Sequence, residues 1–303
     1  MNSWRTSTQS QYNVYLKRFV FFFRKNKIAF EPSLHNGLRF LTHLHETGSS
    51  YNQIAMARSA LSALIDIGIH PYSSFGQHPF VKRFIKGIFE LKPVLPKFSY
   101  VWDVHVLLDF FRKGLQPHQC TLHELGKKLA ILLALLSGGQ RAQTIHSIDV
   151  FDIKIVGGHC VIPLYEKLKQ TRPGHHLKPL EFSVYLQEPK LCIVTLLKEY
   201  LKQTAHLRTH SKLFIGSQKP HQAVSKSTIS RWCKDMMSQA GIDTAIYTSH
   251  SSRSAATSYL SEVGVSLKSI CDSAGWSSEK TFVAHYKKIV NRKDNIMTSI
   301  LDL

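Results

Sequence analysis

The sequence predicts a mainly α protein with one small antiparallel β-sheet: a helical amino-terminal domain, a short linker, and an α+β carboxy-terminal domain. Three observations carry this expectation. Apolar residues recur at three- and four-residue spacing through most of the chain, which is the helical period. The period changes to strict alternation only between residues 149 and 186, around Gly157–Gly158. The segment 92–100, KPVLPKFSY, sets two prolines and two lysines between helical patterns, and proline removes a donor and restricts its neighbour. The expected division is therefore 1–91, a linker 92–100, and 101–303.

In the first domain, Ser10–Lys25 aligns Tyr12, Tyr15, Leu16, Phe19, Phe22 and Phe23 on one helical face. Pro32 and Ser33 then open a helix over Leu34–His45. Ser49–Ser50 caps a third, with Ile54, Ala57, Leu61 and Leu64 inward and Arg58 outward. Pro79–Leu91 forms a fourth that carries Lys82, Arg83 and Lys86. Further on, Trp102–Lys113 and Thr121–Ser137 are expected helices. The stretch LAILLALLSGG is apolar on every side, so it should be a central buried helix ended by Gly138–Gly139. Asp149–Val156 and His159–Leu164 flank the glycine pair as a hairpin, and Leu180, Phe182, Val184 and Leu186 mark a third strand. Helices resume at Pro189–Ala205 and Ser227–Ala240 and continue nearly to the end.

The 303 residues include 39 Lys and Arg against 20 Asp and Glu, a net charge of +19 with histidines neutral. At 43% hydrophobic and 11% aromatic, the chain is too apolar for a disordered polycation. A folded protein this basic meets a polyanion, nucleic acid first, unless the charge merely serves solubility. Residues 1–100 hold 13 Lys and Arg and 4 Asp and Glu, so the first third is about twice as positive per residue as the rest. The longest apolar runs, Phe19–Phe23 and Leu129–Leu136, are too short to span a membrane. The opening MNSWRTSTQSQYNVYLKR lacks an apolar stretch with a small-residue cleavage site, so an intracellular protein is expected. Five widely spaced cysteines without a C-x-x-C pair indicate reduced, mostly buried thiols. The histidines scatter, and no metal site is expected.

Several residues could carry chemistry, each with a structural alternative. Arg141, in SGGQRAQTI, either grips a phosphate with two parallel hydrogen bonds or faces a helix C-terminal dipole. His250 and Arg253, in YTSHSSRSAATSYL, share a helical face and suit proton transfer beside an oxyanion; the alternative is a solvated face. Tyr286, in AGWSSEKTFVAHYKK, is a nucleophile if cations stabilise its phenolate, and otherwise packing. Lys169, in EKLKQTRPGHHLKP, reaches a phosphate from the side or is simply solvated, with Lys167 and Arg172 as competitors.

Taken in order, Arg141, a hairpin lysine, His250-x-x-Arg253, Trp276 and Tyr286 resemble the tyrosine recombinase (phage integrase-like) family. Tyr286 follows Trp276 by ten residues, and Trp276 follows Arg253 by 23. The wording of VWDVHVLLDFF, SGGQRAQTI and KQTRPG is similar to eukaryotic recombinases of DIRS-type and Crypton-type mobile elements. The resemblance covers nearly the whole chain and implies a helical core-binding domain joined to an α+β tyrosine recombinase catalytic domain. Many members carry a carboxylate three residues after the first arginine; here that residue is Thr144, so support for Arg141 must come from elsewhere.

The resemblance implies site-specific cleavage and rejoining of DNA through a 3′-phosphotyrosyl link at Tyr286. Arg141 and Arg253 would hold the non-bridging oxygens, Lys169 would protonate the leaving 5′-oxygen, and His250 would assist proton transfer. Trp276 would pack and hydrogen-bond against the scissile phosphate. No metal, ATP or other cofactor is implied, in keeping with the absence of a G-x-x-x-x-G-K-[ST] loop. The implied partner is double-stranded DNA, clamped by Arg58, Lys82, Arg83 and Lys86, and strand exchange implies a homotetramer on synapsed duplexes. The apolar tail NIMTSILDL would dock on a neighbouring protomer or fold back on its own domain. The work site is the nucleus if the source is eukaryotic and the cytoplasm otherwise. Two other readings are a domesticated DNA-binding protein that keeps the fold without catalysis and a relaxing type IB topoisomerase. Joining of two DNA molecules, against mere loss of supercoils, separates the latter.

Overall fold

In the computed structural model, residues 4–65, 74–94 and 99–291 are described. Two compact units, Met1–Pro96 and Lys97–Leu303, divide within the proline-containing segment 92–100. The NIMTSILDL stretch and part of that segment lie outside the described residues.

The first unit is built from α1 (Thr6–Lys25), α2 (Leu34–Glu46), α3 (Tyr51–Ile65) and α4 (Pro79–Leu91). The aromatic stripe of α1 makes its core. Phe19 meets Phe23 and Phe40 with ring centroids 5.0 and 5.1 Å apart, and Leu41, Leu44, Ile54, Ala57 and Leu61 close around them. Phe21, one step off the stripe, stays exposed. Ser33 caps α2 by accepting from the Asn36 amide at 3.3 Å, and Ser50 and Gln53 cap α3 reciprocally.

The second unit is organised around α6 (Leu122–Leu136), which Thr121 and Glu124 open with a reciprocal cap. Every residue from Leu129 to Leu135 is buried, as an all-round apolar helix demands. Against it lie α8 (Ile193–Thr204), α9 (Lys226–Gln239) and α10 (Ser251–Glu262). Helices α5 (Val104–Lys113), α7 (Ala142–Ser147), α11 (Leu267–Ala274) and α12 (Glu279–His285) complete the unit. The five cysteines are free, and all but Cys120 are buried.

Two sheets form. β2 (Lys154–Val156) and β3 (His159–Ile162) pair antiparallel across a turn in which Gly157 and Gly158 both have positive φ, and β4 (Leu180–Ser183) adds to β3. The strands are shorter than their alternation suggested. Val150–Asp152 turns as a 3₁₀ segment, because the Asp149 side chain accepts from the Phe151 amide, and Val184 and Leu186 lie beyond the last pairing with β3. The second sheet is a correction to the expected run of helices to the end. β1 (Tyr100–Trp102), whose first residue falls in the expected linker, pairs in parallel with β5 (Ile289–Asn291). The two strands lie beside α10, and the buried Trp102 indole donates to Ser251 Oγ at 2.9 Å.

Candidate active site

Arg253 lies in the first turn of α10 and is 1% exposed, so the solvated-face alternative fails for it. Its guanidinium donates to the Gly139 carbonyl at 2.6 Å and to the Ala274 carbonyl. The Trp276 ring lies 4.4 Å from the guanidinium carbon and the Tyr286 ring 5.4 Å, so two aromatic faces cover the buried charge. Trp276 and Tyr286 are themselves in ring contact at 4.5 Å. Burial, and next the charge of Arg141, lower the Arg253 pKa, while the Tyr286 hydroxyl opposes that shift.

His250 occupies the cap position of α10, one residue ahead of the helix. Its Nε2 is 3.5 Å from the Tyr286 hydroxyl. Desolvation, then Arg141, Arg253 and Lys169, push its pKa down to about 4, so the ring is neutral at pH 7. Lys169 lies exposed in the loop 163–179 between β3 and β4, and its charge is among the causes that lower the His250 pKa. Tyr286 ends α12 half-buried. Ser258 Oγ donates to its carbonyl at 2.9 Å and accepts from the Lys288 amide at 3.0 Å, which ties the tyrosine to α10.

Arg141 stands at the start of α7, separated from the end of α6 by Ser137, Gly138, Gly139 and Gln140. Arg141, His250, Gln140, Gln143, Ser249 and Ser252 are among the residues that line a cavity of about 210 Å³. Arg141 Nη1, Arg253 Nε and Trp276 Nε1 are buried donors without an acceptor. Among the described residues none of Arg141, Lys169 and Arg253 forms an ion pair. Thr144 is buried with its hydroxyl unpartnered and supplies Arg141 with no counter-charge.

The support comes from the turn itself. Gln140 donates from its side chain to the Ser273 carbonyl at 2.6 Å, and Ser273 Oγ donates to the Ser137 carbonyl at 2.9 Å, lacing the turn to the end of α11. Sequence reading missed Gln140, Ser258 and Ser273. The available signal was the density of small polar residues in SHSSRSAATS, which the fold buries: Ser251, Ser252, Ser254, Thr257 and Ser258 are all inside.

The amino-terminal candidates separate. Lys82, Arg83 and Lys86 are exposed together on α4. Arg58 is not the outward cation the helical pattern suggested. It is half-buried, and its guanidinium donates to the Gly76 carbonyl at 3.1 Å, because α3 turns that position toward the Phe75–Gln77 segment.

Among the described residues no His, Cys, Asp and Glu side chains gather in threes as metal ligands would, and no helix is long and apolar enough to cross a membrane. The family model described as the phage integrase family matches residues 103–292. The chain belongs to the phage integrase family. No curated protein sequence matches it. This integrase-family chain shares its fold with several solved recombinases. One is the XerH site-specific recombinase bound to difH substrate in a pre-cleavage complex, with a TM-score of 0.62 and 15% identity over 96% of this chain and 78% of that one. Another is the Tn1549 transposon integrase in complex with transposon right end DNA, at 0.59 and 13% over 99% and 94%. A third is a lambda integrase tetramer bound to a Holliday junction, at 0.53 and 16% over 97% and 76%.

Proposed function

We propose that this integrase-family chain is a site-specific DNA recombinase that cleaves and rejoins DNA through a 3′-phosphotyrosyl link at Tyr286. The observation that carries the reading is the surroundings of the Tyr286 phenol. It lies within 3.5 Å of a neutral imidazole and beside a buried guanidinium, and Arg141, Arg253 and Trp276 each keep a buried donor unfilled. A buried donor without an acceptor is costly, and a phosphodiester supplies both the charge and the oxygens. In the proposed step Tyr286 Oη bonds to phosphorus and the P–O5′ bond breaks. The phenol proton passes to His250 Nε2, and Lys169 gives its proton to the leaving O5′. Arg141 and Arg253 hold the non-bridging oxygens as charge builds on them, and Trp276 packs against the phosphate.

The test is covalent trapping on nicked or bubble-containing duplexes without added metal. Wild-type protein is expected to give a denaturation-resistant protein–DNA adduct, and Tyr286→Phe none. Salt-sensitive binding with no adduct from either protein would instead favour a domesticated DNA-binding protein, a reading to which the missing carboxylate at Thr144 lends some weight.

The first unit, in this reading, clamps DNA through Lys82, Arg83 and Lys86, and the working assembly is a homotetramer on two synapsed duplexes. Contacts of that kind go to phosphates and release counterions. Replacing the three by alanine is expected to flatten the slope of log affinity against log salt by roughly 2 to 3. Arg58→Ala, which removes an internal hydrogen bond, should lower the thermal stability of the unit and leave that slope unchanged. Titrations of labelled duplex across a salt series decide this; an unchanged slope in the triple variant would take α4 off the DNA.

A further inference from the structure

We infer that the last turn of α11, Asp272–Gly275, is the seat that holds the Lys169 loop in register for cleavage, with Gln170 and Leu177 as its positioning residues. The inference rests on the proposed role of Lys169 as the proton donor. Lys169 itself is exposed and makes no hydrogen bond of its own among the described residues, yet both its neighbours are anchored. Leu168 is buried, and Gln170 donates to the Ala274 carbonyl at 3.5 Å. That carbonyl also accepts from Arg253, so one backbone oxygen joins the lysine loop to the buried arginine. Farther along the loop, the buried Leu177 lies directly over Gly275. A Cβ placed on Gly275 would stand 2.6 Å from Leu177 Cδ1 and 3.1 Å from Gln170 Cγ. Gly275 has φ +69, so alanine there is strained as well as obstructed. Lys178 adds an ion pair with Asp272 at 2.8 Å; both side chains are exposed, and the pair contributes little beside the apolar contact.

The same turn therefore receives three elements of the site. Arg253 and Gln140 bond its carbonyls, and Gln170 and Leu177 rest on it, while Trp276 continues from it. A lysine on a long loop loses rotamer and backbone freedom when it must reach one oxygen. Seating the flanking residues on the element that fixes Arg253 removes most of that cost before DNA arrives.

The experiment compares two duplexes that differ in one atom, the ordinary 5′-oxygen or a bridging 5′-sulfur at the cleaved bond. A thiolate leaves without a proton donor, so the sulfur duplex does not need Lys169. Leu177→Ala and Gly275→Ala are expected to slow adduct formation about tenfold or more on the oxygen duplex. On the sulfur duplex Leu177→Ala, which leaves the backbone of the turn in place, should stay within about twofold of wild type, as should Lys169→Met. Leu177→Ala and Gly275→Ala should also be nicked several-fold faster by trypsin after Lys167 and Lys169, a readout that needs no DNA. Equal slowing of Leu177→Ala on both duplexes would mean general damage to the site and would overturn the inference, as would unchanged rates on both. If wild-type protein forms no adduct on either duplex while the trypsin result holds, the proposed function fails and the loop anchorage survives without a catalytic meaning.

Discussion

Gly139→Ala is expected to destabilise the second unit by about 3 kcal/mol or more and, on the proposed function, to abolish DNA cleavage. Gly139 sits at φ +79, and a Cβ there would stand 2.8 Å from the Arg253 Cα and 3.0 Å from the Arg253 carbonyl oxygen. Both obstacles are backbone, and neither can move without displacing α10. The Gly139 carbonyl is also an acceptor for the Arg253 guanidinium, so relief of the clash breaks that bond and shifts Arg141 two residues on. For a unit of this size the loss corresponds to a fall in melting temperature on the order of 10 °C. The control is Gly157→Ala. Gly157 also has positive φ, but a Cβ there meets nothing within 4 Å, so only the backbone strain of about 1 kcal/mol applies. Equal falls in the two variants, followed by calorimetry, would show that close approach to α10 is not what demands glycine.

The second large effect is a pH dependence whose sign changes when DNA binds. In the free protein the His250 pKa is about 4, below the ordinary value near 6.5, so the folded state binds fewer protons between those values. The stability tied to neutral His250 is thus complete above pH 6.5 and is lost as pH falls toward 4. The ring keeps an exposed face, and solvent screening reduces the contribution to on the order of 1 kcal/mol. The charges of Arg141, Arg253 and Lys169 act on it, and the Tyr286 hydroxyl lies beside it. A phosphodiester brought among them reverses the local field and raises the pKa of the ring, so binding takes up a proton. On the proposed function, affinity for a cleavable duplex should therefore rise as pH drops from 7 to 5, more for wild type than for His250→Gln. The variant should also lose less stability than wild type over that interval. Denaturant unfolding and binding isotherms at matched pH check both halves, and parallel slopes for the two proteins would remove His250 from the linkage.

Local signals carried much of the molecule. The α1 stripe, the Pro79–Leu91 helix, the all-apolar α6 and the Gly157–Gly158 turn are each specified within a few residues, and each forms where its pattern lies. The ordered residues Arg141, Lys169, His250, Arg253, Trp276 and Tyr286 were legible too, because their order and spacing along the chain survive folding. What no local pattern contains is who meets whom. β1 and β5 are three residues each and pair in parallel from opposite ends of the unit, so neither has a turn or a neighbour to announce it. Arg58 follows the rule for an outward helical position, yet a carbonyl 18 residues away captures it. The small polar face of α10 is at home in solvent or in a tight interior, and only the approach of Gly139, the α11 turn and the Tyr286 backbone selects the interior. Periodicity and turn chemistry act over one or two turns of chain, so the sequence by itself determined most of the helices, the hairpin and the order of the candidate residues. The cradle that gathers those groups depends on contacts across more than a hundred residues, and tertiary packing alone decided it.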